Sequence, residues 1–271
     1  MKATPSLLPV LLSSALLVPA CSGGGEAPIV ELPVEIDSRG LTRVTSDMGY
    51  DIEIDRFRVA LRDIQFSIGG ELDGATASKA TSTSPGESPD KTDDQAYKHP
   101  GHAQAGEITG ELPGDFLVDW TDDGAALGVA SLIAGQYDSV NFTFRRADAG
   151  DGLAADDPLL GHTFHIEGTA DDGSGPVRFE AVLDVTDGTQ MAGAPFDAAI
   201  TASAPSAIRL QVLLDDPFED DTLLDGIDFT TLSQVDDGAG GSRILIAPDQ
   251  TEHNVLRRAA QTHDHYMAAT D

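Results

Sequence analysis

The residues best placed to do chemistry are two histidines on either side of a predicted turn. His99 and His102 flank Pro100 and Gly101, which suit the centre of a type II turn because proline fixes one φ and glycine accepts a positive one. The Cα atoms at the ends of such a turn lie within about 7 Å. Two imidazoles at that separation, followed by Glu107, can bind one ion. The pattern predicts a zinc or copper site, and a solvated loop is the alternative.

Other histidines bear on whether such a site is complete. Two imidazoles from one turn bind a metal weakly, so a strong site needs another ligand, and we expect His165 to supply it. His162 precedes it by three residues, a spacing that puts the two side chains on opposite faces of a strand. His263 and His265 can chelate from an extended chain but diverge on a helix. The alternative for the first pair is one capped and one surface histidine, and for the second pair it is the basic residues that a helix C-terminus favours.

Acidic loops offer a second kind of site. Calcium takes carboxylate oxygens as ligands, but the spacing here does not match the EF-hand pattern. A solvated acidic surface is the alternative reading for so acidic a chain. The carboxylates of the main candidate loop are Asp215, Asp216, Glu219, Asp220, Asp221, Asp225 and Asp228, and those of a similar loop are Asp148, Asp151, Asp156 and Asp157.

Composition excludes some classes of function. The 271 residues include 46 acidic and 16 basic ones, for a net charge of -30, which argues against nucleic acid as a partner because phosphate binding needs clustered cations. The sequence has no Gly-x-Ser-x-Gly, His-Glu-x-x-His, phosphate-loop or Gly-x-Gly-x-x-Gly motif. We therefore predict a binding protein rather than an enzyme, with an envelope hydrolase as a remote alternative.

The N-terminus has the three parts of a secretory signal. Lys2 is followed by an apolar run at 7–18 and by small Ala20. The run is about half the length that a membrane-spanning helix needs. Cys21, the only cysteine of the chain, comes directly after it, so no intrachain disulfide can form. This pattern predicts that residues 1–20 are a signal peptide.

The end of that signal, Val18-Pro19-Ala20-Cys21, resembles the lipobox of bacterial lipoproteins. The resemblance implies cleavage before Cys21, acylation of Cys21 and anchoring by lipid alone, with residues 21–30 as a tether. The residue after the cysteine is Ser22 rather than an aspartate, and in this the chain resembles outer-membrane lipoproteins. A soluble secreted protein, cut after Ala20 at an ordinary secretory site, is the alternative.

The rest of the chain shows the alternation of β-strands. Apolar and polar residues alternate in several short runs separated by Gly/Asp turns, which predicts a mainly β fold, an antiparallel β-sandwich of Greek-key or immunoglobulin-like type. The predicted strands lie at 50–54, 59–61, 64–68, 140–144, 163–166, 177–185 and 208–212. Two short helices are expected, one over 221–232 and a C-terminal one over 251–260 with Thr251 as N-cap.

One segment differs in composition from its surroundings. Residues 71–106 are rich in Ser, Thr, Asp, Gly and Pro, a composition that cannot offset the entropy of ordering. We expect a disordered insertion within a single domain over 31–271. The run from Leu132 to Tyr137, leading into Val140-Asn141-Phe142, resembles a strand entry in uncharacterised bacterial envelope lipoproteins with sandwich folds, and the resemblance implies fold and location only.

Together these features predict a lipid-anchored binding module of the bacterial cell envelope, in the outer membrane. Its expected ligand is a transition metal held by histidines. The alternative is a structural or adhesive lipoprotein whose acidic loops hold calcium or no ion. An envelope protein is a further partner to expect, of unknown identity.

Overall fold

The computed structural model describes residues 27–68, 107–203, 206–217, 219–237 and 240–271. Its strands are β1 (Ile29–Ile36), β2 (Val44–Thr45), β3 (Asp51–Ile68), β4 (Glu107–Asp119), β5 (Ala126–Ile133), β6 (Gly135–Phe144), β7 (Phe164–Asp171), β8 (Val177–Leu183), β9 (Gln190–Ile200), β10 (Ile208–Val212), β11 (Gln234–Asp236), β12 (Ser242–Ile246) and β13 (Tyr266–Thr270). One α-helix, α1, spans Thr251–Ala259. The predicted mainly β class is confirmed.

The longest strand, β3, organises the sheet because it has neighbours on both edges. Along one edge it pairs with β2 and then β4, and along the other with β7 and then β6. Its pairing shifts register around Asp55 and Asp63, and Asp63 has a φ of 51°. Such bulges bend a strand and re-aim its side chains. The three short runs predicted over 50–68 therefore form one continuous strand.

The strands form one hydrogen-bonded sheet of mixed direction. Its main path is β11-β12-β8-β7-β3-β4-β5-β1-β10-β13, with β2 and β6 paired to β3 and β9 paired to β6. The β1–β10 and β8–β12 pairs are parallel, so the expectation of a purely antiparallel sheet is wrong. In both pairs a long connection joins the two strands, because parallel neighbours need a crossover and cannot be joined by a hairpin turn.

Aromatic side chains fill the centre of the core. They form a continuous row in which neighbouring ring centroids lie 5.2–6.1 Å apart, within the range of favourable aromatic pairs. The hydroxyl of Tyr266 donates to the Ala260 carbonyl oxygen at 2.7 Å, so the row also fixes the end of α1. The row consists of Phe57, Phe164, Phe144, Phe142, Tyr266 and Trp120.

The C-terminal helix predicted over 251–260 is confirmed as α1, which packs against β8. Its N-cap is Gln250 rather than Thr251, and the Gln250 side chain makes no capping hydrogen bond. His253 and Leu256 are its buried residues, three positions apart on one face. The helix is therefore held by packing rather than by its cap.

The helix predicted over 221–232 is wrong. The segment consists of turns and a single 3-10 turn at Phe229–Thr231. The Asp228 carboxylate accepts hydrogen bonds from the Thr230 backbone N–H at 3.0 Å and from the Thr230 hydroxyl at 2.6 Å. Short polar side chains that satisfy nearby backbone groups in this way favour turns over helix.

Some predicted features lie outside the described residues: the signal peptide at 1–20, Cys21, His99, His102 and the insertion at 71–106. The strands that flank the insertion, β3 and β4, pair with each other from Ile68 and Glu107 onward. Since β1 begins at Ile29, the predicted tether over 21–30 overlaps the first strand by two residues.

Candidate functional site

His165 lies in a buried network of charged side chains. It sits on β7 opposite Arg58 of β3 and is 1% exposed. Arg58 donates from Nη2 to the Nδ1 atom of His165 at 2.8 Å, and both of its terminal nitrogens bind Asp157 at 2.9 Å. This bidentate contact with Asp157 fixes the position of the Arg58 guanidinium. The hydrogen bond from Arg58 then sets the orientation of the His165 ring.

The network continues on the other side of the ring. A guanidinium only donates hydrogen bonds, so Nδ1 of His165 accepts and the ring hydrogen is on Nε2. Nε2 lies 3.2 Å from Oε1 of Glu180. The other carboxylate oxygen of Glu180, Oε2, forms an ion pair with Nε of Arg243 at 2.7 Å. The hydrogen bond from His165 lowers the pKa of the Glu180 carboxyl, against the effect of burial, and the charge of Arg243 lowers it further.

This arrangement bears on metal binding at His165. The ligand atoms of His165, Glu167 and Glu180 lie within 4.8 Å of one another, as a metal site would need. However, a metal on Nε2 would move the ring hydrogen to Nδ1, where it would face the N–H donor of Arg58. Both ring nitrogens are thus already used, and the geometry favours a hydrogen-bond relay over metal ligation.

Among the described residues, the other ligand predicted for the transition-metal site, Glu107, is not brought to His165. Glu107 is exposed at the start of β4 and pairs with Ile68, whereas His165 pairs with Arg58. Those two partners are ten residues apart on β3, about 33 Å of extended strand. Since His99 and His102 lie outside the described residues, the histidine-turn site stays a prediction.

The main acidic loop brings three carboxylates together. The loop follows β10 and is closed by a bridge between Asp215 and Thr222 and by a 2.9 Å hydrogen bond from the Asp216 N–H to the Asp221 carbonyl oxygen. Carboxylate oxygens of Asp216, Glu219 and Asp221 lie within 4.8 Å of one another. Asp216 is only 2% exposed, so this cluster is partly withdrawn from water.

The electrostatics of this loop concentrate on Asp221. Burial raises the pKa of the Asp221 carboxyl; nearby His265 lowers it, and the charges of Asp216, Glu219 and Asp225 raise it again. The Oδ1 atom of Asp221 is buried and accepts no hydrogen bond from the described residues. A buried carboxylate oxygen without a partner is costly, so a cation at this point would stabilise the loop.

His265 completes the surroundings of the loop from the end of a 3-10 turn, His263–His265, directly before β13. It is buried, and its Nδ1 atom donates to the Leu213 carbonyl oxygen at 3.1 Å. The Nε2 atom is therefore the ring nitrogen whose lone pair is not used by this hydrogen bond. The pairing of β10 with β13 places Val212 opposite Tyr266, and so brings His265 beside a loop 50 residues earlier in the chain.

The other predicted acidic loop is organised differently. Asp151 receives two hydrogen bonds from the buried guanidinium of Arg145, at 2.6 and 2.8 Å, and Asp157 pairs with Arg58 as described above. The hydrogen bond from Arg145 lowers the pKa of the Asp151 carboxyl. These carboxylates already have cationic partners from the protein, so the loop is a structural ion-pair site rather than a cation site.

One histidine cluster has no signal in the sequence. The Nδ1 atom of His162 lies 2.8 Å from Oδ1 of Asp184, and the Asp184 backbone N–H donates to Nε2 of His253 at 3.3 Å. Burial lowers the pKa of His253, more than the charge of Asp184 raises it. The three residues lie before β7, directly after β8 and in α1, so no local spacing predicts the cluster.

The chain matches no described protein family, no curated protein and no solved structure. Within the described residues, no helix is long and apolar enough to cross a membrane. The functional interpretation therefore depends on the geometry of the chain itself.

Proposed function

We propose that this protein is a lipid-anchored binding module of the bacterial cell envelope that holds a calcium ion in the loop after β10. The observation that carries the proposal is the convergence of Asp216, Glu219 and Asp221 oxygens within 4.8 Å. Calcium–oxygen distances of about 2.3–2.6 Å allow oxygens on opposite sides of one ion to be about 5 Å apart. The cluster thus has the dimensions and the ligand type of a calcium site.

The charge balance of the loop supports the same proposal. Three carboxylates at this separation repel each other, and Asp216 is buried where water screens poorly. The unpartnered Oδ1 of Asp221 adds a desolvated acceptor. A divalent cation offsets all three effects at once, and a hard cation prefers oxygen ligands.

Sequence pattern supports the proposed location, and strand pairing supports the proposed sandwich fold. The lone Cys21 at the end of an apolar signal supports acylation and an outer-membrane anchor. The two halves of β3, which pair with different strands, support a sandwich-like packing of the sheet. Zinc or copper binding at His99 and His102 stays an alternative ligand hypothesis.

Calorimetric titration of the full chain tests the calcium site. We expect one calcium ion per chain with a dissociation constant of about 10⁻⁴–10⁻³ M, the range of extracellular modules. Asp221→Asn should weaken binding about tenfold, or about 1.4 kcal/mol, because one of three charges is lost. Asp156→Asn removes the same charge from an exposed site outside the cluster and should leave binding unchanged.

Two results would contradict this assignment. The first is a wild-type chain that takes up no calcium at millimolar concentration. The second is equal weakening by Asp221→Asn and Asp156→Asn, which would show that net charge rather than the loop attracts the ion. Uptake of zinc that is lost only with His99→Ala and His102→Ala would favour the histidine-turn hypothesis instead.

A further inference from the structure

An exposed apolar patch lies at one end of three neighbouring strands. Ile29 of β1, Ile108 of β4 and Ile133 of β5 are 69%, 46% and 40% exposed and line one depression of about 300 Å³. They are three of the six large apolar side chains that are exposed among the described residues. Isolated exposed apolar residues are ordinary, but a cluster marks an interaction surface.

Strand pairing explains why these residues meet. Ile29 lies directly opposite Ile133 in the antiparallel β1–β5 pair. Gly110 lies opposite Leu132 in the β4–β5 pair, so Ile108, two residues before Gly110, reaches the same strand ends. A Cβ at Gly110 would come within 2.9 Å of the Leu132 side chain, so the glycine permits the close approach that forms the depression.

The patch is also the part of the domain that the chain reaches first from Cys21. Ile29 is eight positions after Cys21, a reach of at most about 28 Å. The opposite end of β1, at Ile36, lies about 23 Å further along the strand. A lipid on Cys21 would therefore hold the isoleucine end of the sheet nearer to the bilayer than the opposite end of β1.

We propose that this isoleucine patch docks onto the bilayer surface beside the lipid anchor. The inference rests on the anchoring part of the proposed function and adds an orientation to it. Glu31, Glu107 and Glu111 are exposed around the patch, and anionic headgroups would repel them. The partner is accordingly a surface of zwitterionic lipid, which accepts apolar side chains at the headgroup–acyl boundary.

Tethering makes so small a patch sufficient. Three isoleucines are too few to recruit a free protein to a membrane, but a short tether to the lipid would present the surface at an effective concentration on the order of millimolar. Docking is then intramolecular and needs only weak partitioning. The acylated protein should dock, whereas the same domain without a lipid should remain in solution.

Site-directed spin labels on the full acylated chain test the orientation. If Cys21 is acylated, the cysteine of an Ile108→Cys variant is the only free thiol, and Val235→Cys offers a matched exposed site on β11 at the far edge of the sheet. The proteins are placed in phosphatidylcholine vesicles, and collisions with oxygen and with a water-soluble nickel chelate are compared. The oxygen-to-nickel ratio should be several-fold higher at position 108 than at 235.

Each outcome bears on a different part of the inference. Equal ratios at 108 and 235 in acylated, vesicle-bound protein would overturn docking and leave the anchor intact. Lack of acyl mass on Cys21 would overturn the anchor and docking together. A label at 108 shielded from both reagents, in protein that sediments as a dimer, would assign the patch to a second copy of the chain. Ile133→Cys provides a second reporter if position 108 disturbs folding.

Discussion

The buried His165 ring joins Arg58 to Glu180 through one hydrogen bond on each side. Replacing it by His165→Phe leaves Arg58 paired with Asp157 and Glu180 paired with Arg243, but removes one hydrogen bond from each side. We expect a loss of about 1–3 kcal/mol in the free energy of unfolding, since Glu180 stays buried. Urea unfolding of both proteins, once with a chelator and once with added zinc, measures this loss. A relay predicts the same loss in both, and a larger loss in zinc would indicate metal ligation.

A second buried side chain, His253, makes the free energy of unfolding depend on pH. Its pKa in the folded chain is lowered by burial from the ordinary 6.5, so the unfolded chain binds the proton more tightly. The stability from the neutral ring is present above about pH 6.5 and is lost as the pH falls through the folded-state pKa.

The variant His253→Gln isolates this effect because glutamine does not titrate. We expect thermal unfolding midpoints of the wild type to fall more steeply than those of His253→Gln as the pH decreases below about 6.5. All other titrating groups are common to both proteins, so the difference between the two curves reports on His253. Parallel curves would show that burial of this ring is not linked to protonation.

At the scale of elements, the contact between β3, β7 and β8 requires glycine at one position. A Cβ on Gly168 would lie 2.4 Å from the Glu53 carbonyl oxygen and 2.8 Å from the Phe179 ring. Neither the backbone nor the packed ring can move away without disturbing the sheet. Gly168→Ala should therefore cost about 1–3 kcal/mol through overpacking.

Gly135→Ala is the matched control for that prediction. A Cβ there has its nearest neighbour at 3.9 Å, so the change in stability should stay within about 0.5 kcal/mol. Chemical unfolding of both variants gives the comparison. A similar small effect in both would mean that the sheet adapts at β7 more easily than its packing indicates.

For the whole molecule, the proposed lipid anchor predicts that Cys21 determines where the protein is held. Cys21→Ser removes the only thiol that can be acylated, so the protein should move from the membrane fraction to the soluble envelope fraction. Fractionation with mass determination of the N-terminal peptide measures this. A wild-type protein that is already soluble and carries no acyl mass would contradict the anchor.

Sequence pattern predicted the parts of the molecule that depend on local spacing. The alternation in residues 140–144, 163–166, 177–185 and 208–212 predicted strands that are present in β6, β7, β8 and β10, and the apolar spacing over 251–260 predicted α1. It did not predict β1, β2, β4, β5, β9, β11, β12 or β13. In β4 the interior Pro113 and Gly114 interrupt the alternating pattern.

The candidate site needed information from further along the chain. The sequence indicated the acidic loop as a possible cation site, but it could not show which of the seven carboxylates converge. The structure shows that Asp216, Glu219 and Asp221 come together in the loop closed by the bridge between Asp215 and Thr222. Likewise, only the fold places Arg58 against the Nδ1 atom of His165, and metal ligation by His165 stays a prediction.

The sequence by itself determined the mainly β character and the position of the C-terminal helix, because alternation and helical periodicity are properties of neighbouring residues. The tertiary structure decided the parallel strand pairs, the hydrogen-bond relay and the carboxylate cluster. These depend on contacts between residues far apart in the chain, such as Arg58 with His165 or Leu213 with His265. Such contacts form only when the sheet sets the register of its strands.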